Sequence, residues 1–266
     1  FLKMKLSQLI NYIKQKKTYL CLGFDTDIDK IPKHLLRYND PVYEFNKSLI
    51  NRLHSKIIAV KINTAFYESR GTKGWSSLEK TINYINSNYP ELFTIADAKR
   101  ADIGNTSNMY AKAFFKKMNF DSITISPYMG EDSVNEFLKY KNKYVILLAL
   151  TSNKGANDFQ LENNLFLNVI NKSKKWENSN KLMYVVGATK TTHYKKIRDI
   201  VPNSFLLIPG VGSQGGEIRD VINHSTSTSN NIIINISRAI IYSSSGADYI
   251  DKAEEVVDKY NKQINL

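Results

Sequence analysis

Asp97, Lys99 and Asp102 stand close together in the segment I-A-D-A-K-R-A-D-I-G-N-T, which runs from Ile95 to Thr106. On an extended chain Asp97 and Lys99 point to one face, and Ala98 and Arg100 to the other. The apolar residues leading into the segment predict a buried β-strand, so ionised groups sit where burial is expected. Burying charge is costly unless the groups are paired, and an apolar strand that ends in such a row reads as a site rather than a scaffold. Electrostatic stabilisation and proton transfer are the chemistry open to it.

A second group lies far along the chain. Pro209 to Gly216, P-G-V-G-S-Q-G-G, is a glycine-rich turn ahead of a helical stretch, and Arg238 follows the last apolar run. Backbone N–H groups of such a turn and one guanidinium can enclose an anion, and arginine grips phosphate with two hydrogen bonds where lysine cannot. A phosphorylated substrate is implied. His34, His54, His193 and His224 have no acid partner at metal spacing, and Ser213 and Ser237 lack a base partner, so neither metal ligation nor a nucleophilic serine is indicated.

These groups need a frame that brings them together. Short aliphatic runs predict strands at Tyr19–Asp25, Ile57–Asn63, Phe93–Lys99, Ser122–Ser126, Tyr144–Thr151, Leu182–Ala188, Phe205–Pro209 and Ile232–Ser237. Between them, helical periodicity predicts helices over Pro41–His54, Ser76–Ser87, Thr106–Met118, Ser133–Tyr140, Phe166–Trp176, Tyr194–Val201 and Glu217–Asn223, closed by Lys252–Lys262. Alternation of this kind is the pattern of βα units on a parallel sheet. Eight such units in 266 residues predict an α/β fold, the TIM (β/α)8 barrel, as a single domain over residues 1–266. A doubly wound open sheet would leave some of the units unplaced.

In a barrel of this type the catalytic groups lie at the carboxyl ends of the strands. Here polar residues gather there: Asp25 at the first strand, Lys61 and Asn63 at the second, Asp97 and Lys99 at the third, and Thr151, Ser152 and Asn153 at the fifth. The glycine-rich turn follows the seventh strand and Arg238 the eighth, which is where such barrels frequently hold phosphate.

Composition narrows the function further. The formal charge is +12, from 37 Lys and Arg against 25 Asp and Glu, which invites a nucleic-acid partner. The lysines are instead scattered singly or in short runs such as Lys195 and Lys196, as on a solvated face. No nucleic-acid partner is expected. One cysteine, Cys21, lies in an apolar run and is expected to pack as a small hydrophobe, which suits a reducing cytoplasm. The longest apolar run, Val145 to Leu150, is too short to cross a bilayer, and the first residues lack the apolar core of a secretory signal, so no membrane partner is expected.

Taken together, D-A-K-R-A-D-I-G-N-T, V-K-I-N-T-A-F-Y-E, L-T-S-N, P-G-V-G-S-Q-G-G and I-S-R-A-I-I-Y resemble the orotidine 5′-monophosphate decarboxylase family, in its longer-chain branch, from Cys21 to about Tyr242. The D-x-K-x-x-D core is specific to a small superfamily of barrels, and the other motifs in order narrow it to this member. Two positions depart from the family pattern: Lys154 follows T-S-N in place of proline, and Ser126 precedes Pro127 in place of asparagine. Both lie beside the charged row rather than in it.

The resemblance implies cofactor-independent decarboxylation of orotidine 5′-monophosphate to UMP, the last step of de novo pyrimidine nucleotide synthesis. It implies that Lys99 is the proton donor, a buried ammonium flanked by Asp97, with Lys61 and Asp102 completing the catalytic row. Asp102 and Thr106 would enter the site of a neighbouring subunit, so a homodimer is implied. Asp25 would hold a ribose hydroxyl with Asn63 near it, and Ser152, next to Thr151, would read the pyrimidine edge. Gln214 and Arg238 would clasp the 5′-phosphate, with Pro209 and Gly215 in the same binding loop. Arg100 is expected to point away from the pocket. The rivals are a Mg²⁺-dependent sugar-phosphate decarboxylase or hexulose phosphate synthase of the same superfamily, and a non-catalytic nucleotide-binding barrel. The metal-dependent siblings place an acid on strand two, where this chain has Lys61, and a cation there would repel a divalent metal.

Overall fold

Eight strands follow one another in chain order around a closed barrel. They are β1 (Leu20–Phe24), β2 (Ala59–Asn63), β3 (Phe93–Arg100), β4 (Ser122–Ile125), β5 (Tyr144–Leu150), β6 (Leu182–Val186), β7 (Leu206–Pro209) and β8 (Ile232–Ile236). Every strand pairing with a described register is parallel. The (β/α)8 barrel expected from the alternation is the fold of this chain. The coordinates come from a computed structural model that describes residues 4–212, 215–225 and 230–264.

The first helices are α1 (Leu6–Lys16), α2 (Pro41–Leu53), α3 (Ala65–Glu68), α4 (Gly71–Asn88) and α5 (Gly104–Ala111). There follow α6 (Glu131–Leu138), α7 (Leu165–Ser173), α8 (Tyr194–Ile200), α9 (Ile218–Ser225), α10 (Arg238–Ile241) and α11 (Tyr249–Ile264). Most predicted helices are found within a few residues of their expected bounds. The helix expected over Thr106–Met118 begins at Gly104 and passes at Lys112 into a π-helical turn that ends at Lys117. Helix α4 begins ahead of the expected Ser76 despite Gly71 and Gly74, because α3 packs against its first turn. A Cβ on Gly74 would lie 1.8 Å from the Tyr67 carbonyl oxygen.

The chain divides into two compact units, one of Phe1–Ala98, Met118–Phe120 and Ile236–Leu266, the other of Lys99–Lys117 and Asp121–Asn235. In the first unit β1 is buried along its whole length, and β2 aligns Lys61 with Gly23 on one side and Ile95 on the other. Beneath the β1 and β2 ends lies a buried polar knot. Thr26 donates to Asn46 Oδ1 (2.7 Å), and Asn46 Nδ2 donates to the Tyr67 hydroxyl (2.8 Å) and to Thr81 Oγ1 (3.2 Å). Satisfied in this way, the buried groups fix the two loops without the desolvation cost of an orphan.

In the second unit the side chain of Arg198, 1% exposed, stitches three loops together by donating to the carbonyls of Ser204 (2.6 Å), Asn231 (2.9 Å) and Ser225 (3.4 Å). Burial lowers its pKa to about 10, which leaves it charged at neutral pH. The role of Arg198 is structural.

Candidate active site

Lys61 and Asp97 form the centre of the site in the first unit. β2 and β3 align Asn63 with Asp97, and Lys61 reaches along the strand ends to place Nζ 2.7 Å from Asp97 Oδ2. Both side chains are buried, at 5% and 9% exposure. Burial alone would pull the Lys61 pKa down. The charges of Asp97 and Asp25 and the hydrogen bond that Lys61 donates to Asp97 outweigh it, so the ammonium is held above its ordinary range. A fixed positive charge therefore faces two carboxylates.

Asp25 follows the last residue of β1, and its backbone is held at both ends. Its N–H donates to Ser237 Oγ (3.4 Å), its carbonyl accepts from the Tyr242 hydroxyl (2.8 Å), and Ser237 Oγ donates to the Gly23 carbonyl (2.9 Å). Its side-chain Oδ1 is buried and has no hydrogen-bond partner among the described residues. An orphaned carboxylate oxygen is costly unless a ligand hydroxyl meets it. Asn63 Oδ1 accepts from Ala65 N (3.3 Å), which turns the chain from β2 into α3. Arg238 is exposed and opens α10, directly after the serine that holds Asp25.

Lys99 departs from the expected geometry. Its φ is +45°, a left-handed conformation that bulky residues seldom adopt, so the regular alternation that would align it with Asp97 is interrupted there. Its N–H donates to Thr124 Oγ1 (2.9 Å) on β4. The side chain is exposed in the single chain, against the expectation of a buried ammonium. Strain of this kind gathers at functional positions. Arg100 lies over the rings of Tyr110 (5.3 Å) and Phe114 (5.5 Å), on the helical layer, as expected for a residue directed away from the pocket.

Asp102 is half-buried and accepts from Ile103 N (2.8 Å), and Thr106 is exposed in the first turns of α5. Thr151 and Ser152 follow β5, and both are half-buried. A glycine turn follows Pro209: Gly210, Gly212 and Gly215 all have positive φ, and hydrogen bonds from Gly212 N to Gly216 O (3.0 Å) and from Gly216 N to Gly210 O (3.2 Å) close it. Gln214 and Ser213 lie outside the described residues. Cys21 is a buried free thiol whose pKa burial pushes up, so it packs as a hydrophobe.

Sequence reasoning missed Ser237 and Tyr242 as the clamp on Asp25, although both stand in the I-S-R-A-I-I-Y motif. Gln160, whose Oε1 accepts from Thr151 N (2.6 Å), had no local signal at all. Among the described residues no cluster of three or more His, Cys, Asp or Glu is arranged to hold a metal. None of their helices is long and apolar enough to cross a membrane.

A closed parallel barrel with a buried lysine–aspartate pair at its strand ends defines a barrel enzyme. Residues 18–253 match the family described as orotidine 5′-phosphate decarboxylase / HUMPS. The chain is 54% identical over 265 residues to a protein of Flavobacterium johnsoniae named orotidine 5′-phosphate decarboxylase, covering 98% of this chain and 97% of that one. Among solved structures it is similar to the OMP decarboxylase of Leishmania donovani, with a TM-score of 0.77 and 30% identity over 96% of this chain and 98% of that one. The UMP synthase of the same organism matches with a TM-score of 0.83 and 30% identity over 99% of this chain, which spans 57% of that protein's length. The chain belongs to the orotidine 5′-phosphate decarboxylase / HUMPS family. It is an enzyme of the carbon–carbon lyase class.

Proposed function

We propose that this chain, a single barrel domain acting in the cytoplasm, decarboxylates orotidine 5′-monophosphate to UMP without a cofactor, the last step of de novo pyrimidine synthesis. The observation that carries the reading is the buried Lys61–Asp97 pair at the ends of β2 and β3, in a chain so similar to proteins named for this reaction. Breaking the bond between C6 and the carboxylate leaves an electron pair on C6 with no conjugated sink. The barrier must therefore fall through electrostatics. Lys99, beside Asp97 in the chain, supplies a positive charge for that pair and then its proton to C6. A unit charge at about 4 Å is worth on the order of 4 kcal/mol at an effective dielectric near 20, a substantial share but not the whole of the effect. Asp97 next to the substrate carboxylate adds repulsion in the ground state.

In this reading Asp25 Oδ1 takes a ribose hydroxyl with Asn63 beside it, and Ser152, with Thr151, meets the pyrimidine edge. The 5′-phosphate lies with Pro209, Gln214, Gly215 and Arg238. Remote binding energy at the phosphate then aligns the base. The test is loss of orotidine 5′-monophosphate absorbance in a chelated buffer. Turnover is expected at the same rate with and without added Mg²⁺. An absolute requirement for Mg²⁺ would favour the sugar-phosphate siblings, and no turnover at all would favour a non-catalytic barrel.

The working unit in this reading is a homodimer in which Asp102 and Thr106 reach the neighbouring site. Support comes from an apolar surface beside them: Ile103, Met109, Tyr128 and Met129 are 52%, 47%, 91% and 46% exposed. Hydrogen bonds from Ser126 N to Arg100 O and from Ser107 Oγ to Ser133 O, each 3.0 Å, hold the two segments side by side. Ile103→Glu is expected to shift sedimentation from dimer to monomer and abolish turnover while the circular dichroism spectrum stays native. A fully active monomer would exclude the shared site.

A further inference from the structure

The loop leaving β5 doubles back on its own beginning. Gln160 Oε1 accepts from Thr151 N (2.6 Å), Gln160 Nε2 donates to Thr151 Oγ1 (2.9 Å), and that hydroxyl donates to Asn153 Oδ1 (2.6 Å). One amide thus grips one residue at two points. The glutamine is itself anchored, since Phe166 N donates to its carbonyl (2.9 Å) and Leu161 N to that of the buried Ala156 (3.0 Å).

Ser152, the next residue, is pinned from its other side. Thr189 Oγ1 donates to the Ser152 carbonyl (3.1 Å). Gly187 lies so close that a Cβ there would come within 2.6 Å of Ser152 N and Cα. Gly187 is in turn held by its N–H to Leu150 O (2.8 Å) and by the Tyr194 hydroxyl on its carbonyl (3.1 Å).

We infer that Gln160 is a positioning residue that sets the aim of Ser152, and with it the selectivity for a ligand carrying a pyrimidine base over a ribose phosphate without one. This rests on the reading of Ser152 given above. The side-chain amide offers an acceptor to the Thr151 N–H and a donor to its hydroxyl together. A carboxylate keeps the acceptor alone, and an apolar side chain leaves the N–H unpaired. Displacing Ser152 costs contacts to the base and leaves those to ribose and phosphate in place.

The test compares Gln160→Met, Gln160→Glu and Thr189→Val with the unaltered enzyme, using UMP and ribose 5-phosphate as competitive inhibitors of decarboxylation. Gln160→Met is expected to weaken UMP about tenfold, the value of one well-made hydrogen bond, and to leave ribose 5-phosphate unchanged. The KM for orotidine 5′-monophosphate should rise with the UMP constant, and Gln160→Glu should fall between the two proteins. Parallel weakening of both inhibitors, or no change in either, would overturn the inference. Should Gln160→Met fail to fold, Thr189→Val removes the opposite pin and carries the same expectation. An unaltered protein that neither turns over its substrate nor binds UMP would overturn the proposed function instead, whereas an active one with an unmoved inhibitor ratio in the variants overturns only the role of Gln160.

Discussion

Lys99→Ala is expected to lower the decarboxylation rate constant by on the order of 10⁴ or more while changing KM little. A positioned proton donor contributes roughly 10²–10⁴ and an electrostatic stabiliser of developing charge about 10²–10³, and Lys99 is asked to do both. Its charge matters when the electron pair forms on C6, so the loss falls on kcat rather than on ground-state binding. The exposure of the side chain limits the packing that truncation removes. The melting temperature, measured alongside, reads any change in stability separately, and the fall in rate should far exceed what that change explains. Single-turnover decay of orotidine 5′-monophosphate absorbance measures it. A variant that kept its rate would leave the barrel with a different proton donor.

Lys61→Met has the second large effect, and it falls on folding as well as on rate. Removing the ammonium leaves Asp97 buried with its charge uncompensated, at a cost of about 3–5 kcal/mol, or a fall in Tm of roughly 10 °C. The raised Lys61 pKa sets the pH window. Its contribution is fully present below the pKa of an unfolded lysine and fades only as pH rises through the higher folded value, so neutral and mildly acidic buffers should give the same deficit. Lys61→Met combined with Asp97→Asn removes both charges and should recover most of the stability, as measured by calorimetry. Turnover should stay lost. A double variant that regained activity would make the pair a structural device rather than part of the catalytic row.

Much of the frame was legible in the sequence because apolar runs of the right length betray buried parallel strands. The end of β2 at Asn63, the start of β3 at Phe93 and the start of β4 at Ser122 coincide with the predicted bounds. The ends of β1, β4, β5, β6 and β8 fall a residue or two short and β3 runs one residue long, since propensity does not mark where barrel pairing ends. Helix α1 was not predicted, although Leu9 and Ile13 form its buried face; it precedes the first strand and so falls outside the strand–helix alternation from which the other helices are read. Within the site, Lys61, Asp97 and Asp25 were readable as polar residues at strand ends. The left-handed backbone of Lys99 was not, because alternation assumes an extended chain and that conformation is selected by tertiary context. Gln160 was invisible for another reason: its partner lies nine residues away across a loop with no periodicity.

The central claim is that the Lys99 ammonium meets the carbon that loses CO2, and a crystal structure of the protein with UMP bound tests it most directly. Lys99 Nζ is expected about 3–3.5 Å from C6 of the pyrimidine, with Asp97 on one side of it and Asp102 of a second copy on the other. An ammonium directed into solvent, or more than about 6 Å from C6 with the nucleotide seated, would contradict it.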